Sequence, residues 1–141
     1  VQHKMFSGER EDLYISRFMS ELKRFAIDND ISVNLVAHQV TPQKTEDGRY
    51  YKPDVNKIKG GGTFADKADN VAYVWRPNRA LDFSDTSVIF GTQKIKKQKL
   101  VGIPQDVTGI NFNIREQRYY FNGYTPFNDI DAKRCERKSV L

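Results

Sequence analysis

The sequence predicts an α/β domain with a mainly parallel sheet and a C-terminal β-hairpin. Two patterns carry that expectation: an amphipathic helix that runs straight into a short apolar segment, and a series of further apolar runs separated by turn signals. The chain has 141 residues, which suits one compact domain with a core of its own.

From Asp12 to Ile27, Ile15, Phe18, Met19, Leu22, Phe25 and Ala26 recur at helical spacing, and Arg17, Glu21, Lys23 and Arg24 fill the other positions. Asp28, Asn29 and Asp30 end this helix. Ile31 to Ala37 then reads as a strand in which Val33, Leu35 and Val36 are too apolar for a half-exposed position. A helix feeding a buried strand is the basis for expecting parallel pairing. His38 falls at the C-terminal end of that strand, where open α/β sheets place their ligands.

Thr41 to Gly62 is rich in Pro, Gly, Lys and Asp, so it reads as a long functional or mobile loop ending in Lys57, Ile58, Lys59, Gly60, Gly61 and Gly62. A helical turn is expected over Phe64–Asp69 and strands over Val71–Trp75 and Val88–Ile95. Ile110–Ile114 and Arg118–Phe121 form the hairpin. The segment 122–141, with Lys133, Arg134, Glu136, Arg137 and Lys138, reads as a charged, solvated tail.

A hydrophobic content of 38%, with nine Phe, seven Tyr and one Trp, excludes a wholly disordered chain. The lone Cys135 allows no internal disulfide, and His3 and His38 are too far apart in sequence to suggest a metal cluster; a reducing compartment and no structural zinc are expected. No apolar run approaches the ~18 residues that a membrane span needs. The start at Val1 reads as that of a fragment or a processed product. A net charge of +5 suits a polyanionic partner, although such a surplus is also common in proteins without one.

Three clusters bear on chemistry. Gly60, Gly61 and Gly62 are followed by Thr63 and Phe64, so the spacing of a phosphate-binding loop is missing. Lys57 and Lys59 beside them either grip a nucleic-acid backbone or decorate a surface loop. Lys94, Lys96, Lys97 and Lys99 either contact phosphates or form a solvated strand end, with alternation sending Lys94 and Lys96 to one face. Asp66 and Asp69 read as structural acids on a helical turn. His38 alone is compatible with a ligand-sensing role and with a plain hydrogen-bonded polar residue.

In order, these features resemble the RecA-like motor domain of DnaB-type replicative helicases, the phage primase-helicases and Twinkle-like helicases in particular. The resemblance rests on Leu22–Ala26 leading into Leu35-Val36-Ala37-His38, on Asp54–Phe64 followed by Lys67-Ala68-Asp69-Asn70, on Gln93–Lys96, and on the hairpin with Phe112-Asn113 and Arg118–Phe121. It covers residues 1–121 and implies the C-terminal portion of a RecA-like core.

The resemblance implies that His38, assisted by Gln39, senses the γ-phosphate of ATP. It makes Lys57, Lys59 and Gly60–Gly62 part of a loop holding single-stranded DNA inside a hexameric ring, and Lys94 and Lys96 residues that act on a neighbour's ATP. The family carries Arg where this chain has Lys96, and an extra residue leaves Lys97 as the alternative. The phosphate-binding loop and the catalytic acids that work with ATP and Mg²⁺ would precede Val1, so this stretch by itself is expected to be inactive. A cytoplasmic protein of a bacterium or phage is implied, with no membrane partner. A non-catalytic nucleic-acid-binding module and a RecA-like recombinase core are the alternatives.

Overall fold

The computed structural model of the chain describes residues 8–39 and 43–128. Helix α1 spans Glu11–Asp28, with Glu11 and Asp12 in its first turn, where carboxylates favour the helix dipole. Its Ile15 is buried. Helix α2, Gly61–Lys67, packs against α1, and a 3-10 turn, Val55–Lys57, packs against α2. Strands β1 (Asn70–Trp75), β2 (Ser87–Ile95), β3 (Asp106–Asn113) and β4 (Arg118–Phe121) form one sheet in the order β1-β2-β3-β4, and a short helix α3, Gln98–Val101, lies between β2 and β3.

Every neighbouring pair in this sheet is antiparallel, which overturns the expectation of a mainly parallel, partial RecA-like α/β core. The connections explain it. Parallel neighbours need a crossover of about a dozen residues or more, usually a helix lying across the sheet. Residues 76–86 hold only the 3-10 turn Pro77–Ala80, residues 96–105 only α3, and residues 114–117 a tight turn. In that last turn, Asn113 Oδ1 accepts hydrogen bonds from the backbone N–H groups of Arg115 and Glu116 at 3.0 and 3.2 Å. A chain joined in this way folds as a meander.

The segment that argued for parallel pairing is also corrected. Residues 31–37 form no strand: the backbone leaves α1 and passes through Ile31–His38 with every residue exposed, Val36 to 81%. The apolar Val33, Leu35 and Val36 suggest burial, but a strand exists only where a ladder partner accepts it, and this segment has none among the described residues. His38 therefore ends an exposed extended segment rather than a strand within the sheet.

The buried apolar core is small. Among the described residues it consists of Ile15, Tyr73, Val88 and Ile95, and Thr125, just after β4, is fully covered. Tyr73 lies on the sheet face that also carries Val71 and Trp75, while Asn70, Ala72 and Val74 point to the opposite, exposed face. Of the expected tail at 122–141, residues 129–141 lie outside the described residues, as do His3, Cys135 and the loop start at Thr41. No helix among the described residues is long and apolar enough to cross a membrane.

Candidate nucleic-acid interface

The stretch expected to be a long functional or mobile loop is tied to the sheet at several points. Residues 43–51 form a small hairpin, with Lys44 bridged to Tyr50 and the N–H of Thr45 bonded to the carbonyl of Arg49 at 2.8 Å. It docks on the end of β1, where the Trp75 indole N–H donates to the Tyr50 carbonyl at 3.2 Å and the Tyr50 N–H donates to the Pro77 carbonyl at 3.0 Å. Farther along, the Lys52 ammonium reaches Asp106 on β3 at 2.9 Å.

The Asp106 contact depends on a missing side chain. Tyr73, Gly91 and Asp106 lie side by side across β1, β2 and β3. The Tyr73 hydroxyl crosses over Gly91 to donate to the Asp106 carboxylate. A Cβ at Gly91 would fall 2.3 Å from the Tyr73 ring and 2.6 Å from Asp106 Oδ1. Tyr73 and Lys52 hold the Asp106 carboxyl below its ordinary pKa. Burial pushes the Tyr73 phenol up, and its two neighbours raise the Lys52 ammonium.

Asp54 is the second tie. Its carboxylate accepts hydrogen bonds from the backbone N–H of Asn56 and from the Gln93 side-chain amide, each at 2.9 Å. Both hold its pKa down, the Asn56 N–H most strongly. The other end of the Gln93 amide accepts the Val55 N–H at 2.9 Å. The Gln39 side chain donates to the Asp54 backbone carbonyl at 2.9 Å. Three stretches remote in sequence thus meet at one acid: the end of the segment holding His38, the lysine loop, and the strand leading to Lys94.

The candidate site residues divide sharply in their surroundings. Lys94 donates to the carbonyls of Ala65 and Asp66 at the end of α2, at 2.6 and 3.2 Å. Lys96 pairs with Asp69 at 3.1 Å, and the same carboxylate binds Lys23 of α1 at 2.8 Å. Lys23 is the leading cause of the lowered pKa of Asp69. Both ammonium groups of the expected catalytic pair are therefore bound within the chain. Lys97 and Lys99 are exposed and make no ion pair among the described residues.

Of the two loop lysines, Lys59 reaches Glu11 at 2.9 Å, whereas Lys57 is exposed and makes no direct ion pair among the described residues, although its charge helps hold down the Asp54 carboxyl. Gly60 is left-handed, with φ 73°, and its missing Cβ would lie 2.2 Å from Ile15 Cδ1. Gly61 is buried against the Val55 carbonyl. Gly62 faces open space. These glycines thus let α1, α2 and the 3-10 turn approach closely, and two of the three have a packing reason to be glycine.

Sequence reasoning missed Asp54, Gln93, Gly91, Tyr73 and Asp106. Asp54 and Asn56 carried a local signal, since an Asx residue accepting the N–H two positions ahead is a common turn device. A glycine inside an apolar strand was the signal at Gly91. The link from Gln93 to Asp54 spans 39 residues and left no local mark.

No protein-family model matches the chain, and a search of curated proteins finds no similar one. Among the described residues the close sides of Gly60 and Gly61 are filled by Ile15 and Val55, and no group of three or more His, Cys, Asp or Glu is arranged to hold a metal.

Proposed function

We propose that this chain is the part of an ATP-driven, ring-forming DNA helicase that grips single-stranded DNA and relays signals to that grip. The observation that carries the reading is the meeting at Asp54. In the family that the sequence resembles, a sensor segment, a DNA loop and a cationic strand act together; here Gln39, Asp54–Val55 and Gln93 of those stretches are joined by direct hydrogen bonds. A displacement of β2 or of the His38 segment would pull on the loop through bonds rather than through a flexible linker.

Within this reading Lys57, exposed and without a direct ion pair among the described residues, supplies the phosphate contact, with Lys59 secondary because Glu11 already holds it. Lys97 and Lys99 are the members of the cationic run presented to a neighbouring molecule, since Lys94 and Lys96 are bound inside the chain. No chemical step is assigned to these residues. ATP belongs to parts of the machine that lie outside them.

The test uses the full-length protein. Gln93→Leu should leave single-strand binding near normal but cut the stimulation of ATP hydrolysis by DNA at least about fivefold, the low end of a typical coupling energy. Lys57→Ala should flatten the dependence of log affinity on log salt by about 0.7, one single-strand phosphate contact, and Lys59→Ala by less. Undiminished stimulation in Gln93→Leu would remove the relay, and an unchanged salt slope in Lys57→Ala would remove the grip.

A second reading is a nucleic-acid-binding module without a motor. The all-antiparallel sheet favours it, because the expected parallel core was part of the case for the motor. A full-length protein that binds single strands and hydrolyses no ATP would decide for this second reading.

A further inference from the structure

Between the 43–51 hairpin and the ends of β1 and β2 lies an open cleft of about 390 Å³. That volume is within the ~300–1,000 Å³ usual for sites that hold small organic groups. Tyr50, Tyr51, Trp75 and Ile89 line it together with Pro77, and Trp75 and Ile89 are paired across β1 and β2 as part of its lining. Tyr51 is 57% exposed. Large aromatic side chains left open to water beside cations are the usual platform for unpaired bases, because every base offers a π-face.

The charges at the cleft choose between a phosphate and a base. Arg49 and Lys52 line it, but Arg49 is paired with Asp47 at 3.2 Å and Lys52 with Asp106 at 2.9 Å. Lys44 sits over the Tyr50 ring, 5.9 Å from its centre. The ion pairs leave little free positive charge to grip a phosphate inside the cleft, whereas the aromatic and aliphatic walls suit an uncharged planar ring. The surplus charge that draws the anionic backbone lies outside it, on the unpaired lysines and in the net +5 of the chain.

The aromatic platform is also held in advance. The Tyr51 N–H donates to the Gln43 carbonyl at 3.1 Å, Tyr50 is bonded to Pro77, and Trp75 is bonded to Tyr50. The backbone that carries the platform and the Trp75 ring are therefore already ordered, so stacking a base there loses less of the contact energy to immobilisation.

We propose that this cleft is a stacking subsite for one unpaired base of single-stranded DNA, with Tyr51 as its principal platform and Trp75 as part of its wall. The proposal rests on the single-strand-binding reading above and adds a base contact to what was there a grip on phosphates.

The only tryptophan of the chain is Trp75, so its emission reports on this cleft alone. The 141-residue chain is titrated with a thymidine oligonucleotide and with an abasic oligonucleotide of equal length, following Trp emission and, in parallel, the anisotropy of a label on the DNA. The thymidine strand should quench Trp75 and bind more tightly, whereas the abasic strand should bind more weakly and leave the emission unchanged. Tyr51→Ala should lower affinity for the thymidine strand about tenfold with the salt slope intact, since no charge is removed, and Tyr51→Phe should restore it. Tyr51 is exposed, and a melting curve equal to that of the parent chain confirms that the variant is folded. Binding by anisotropy with no quenching, or with equal quenching by the abasic strand, overturns the stacking subsite and leaves the phosphate grip standing. An absence of binding to either strand at low salt overturns both.

Discussion

Gly91→Ala should destabilise the fold by crowding the crossing of Tyr73 over β2. The added Cβ would lie 2.3 Å from the Tyr73 ring and its hydroxyl, and 2.6 Å from Asp106 Oδ1, far inside contact distance on two sides. Tyr73 cannot simply swing away, because it is one of the few buried core residues and its ring is flanked by Lys52, 5.1 Å from the ring centre. One extra methyl in a packed site costs about 1–3 kcal/mol. With an unfolding entropy of about 2.1 cal/mol/K per residue, each kcal/mol lowers the melting temperature of a chain of this length by about 3 °C, so a fall of about 3–10 °C is expected. Thermal melts followed by circular dichroism measure it directly. The same substitution placed in a Tyr73→Ala background should cost little, because the ring it strikes is gone; the two effects then couple rather than add. A Gly91→Ala chain that melts with the parent, or a penalty that persists in full without Tyr73, would show that the crossing is not what requires glycine.

Two further outcomes follow from the same contacts. Gly60→Ala places a Cβ 2.2 Å from Ile15 Cδ1 at a left-handed backbone position and should destabilise the junction of α1 and α2, whereas Gly62→Ala, which meets open space, should be near neutral; equal melting temperatures for the two variants would contradict this. Asp54, Asp69 and Asp106 have lowered carboxyl pKa values, so their contribution is fully present above the unfolded value of about 4 and is lost as the pH falls through the folded values. Lys23, Lys52 and Tyr73 have raised values, so theirs is present below about pH 10 and lost as the pH rises further. The urea midpoint should therefore change little between about pH 5 and 9 and fall on either side; a midpoint that climbs on acidification from about pH 5 to 3 would contradict the sign.

Local features were legible in the sequence and pairing was not. The helix over Glu11–Asp28 follows from a 3.6-residue repeat that needs no knowledge of the rest of the chain, and the apolar runs that became β1, β2 and β4 stand between clear turn signals. Strand direction is a property of connections, and the lengths and contents of residues 76–86 and 96–105 were better guides to it than the helix upstream. Ile31–Ala37 has the composition of a buried strand, yet composition fixes only what a segment tolerates; the ladder partner decides what it becomes.

The site was half legible for the same reason. Lysine-rich stretches at 57–59 and 94–99 are visible as charge, but charge in a sequence does not reveal which ammonium groups are already bound. Lys94 is occupied by two carbonyls of α2, Lys96 and Lys23 share Asp69, and Lys59 reaches Glu11 across the junction of two helices. Subtracting these pairs changes the reading of the surface more than the net charge does. Among the described residues Lys57, Lys97 and Lys99 are exposed cations that make no ion pair, and Lys57 ends a loop fastened to all of β1, β2 and β3 through Trp75, Gln93 and Asp106. A loop fastened in this way gives up the reach of a flexible arm and gains a fixed register between its aromatic cleft and Lys57. On the proposed single-strand-binding reading, that trade suits a partner with a regular spacing of bases and phosphates better than one of irregular shape.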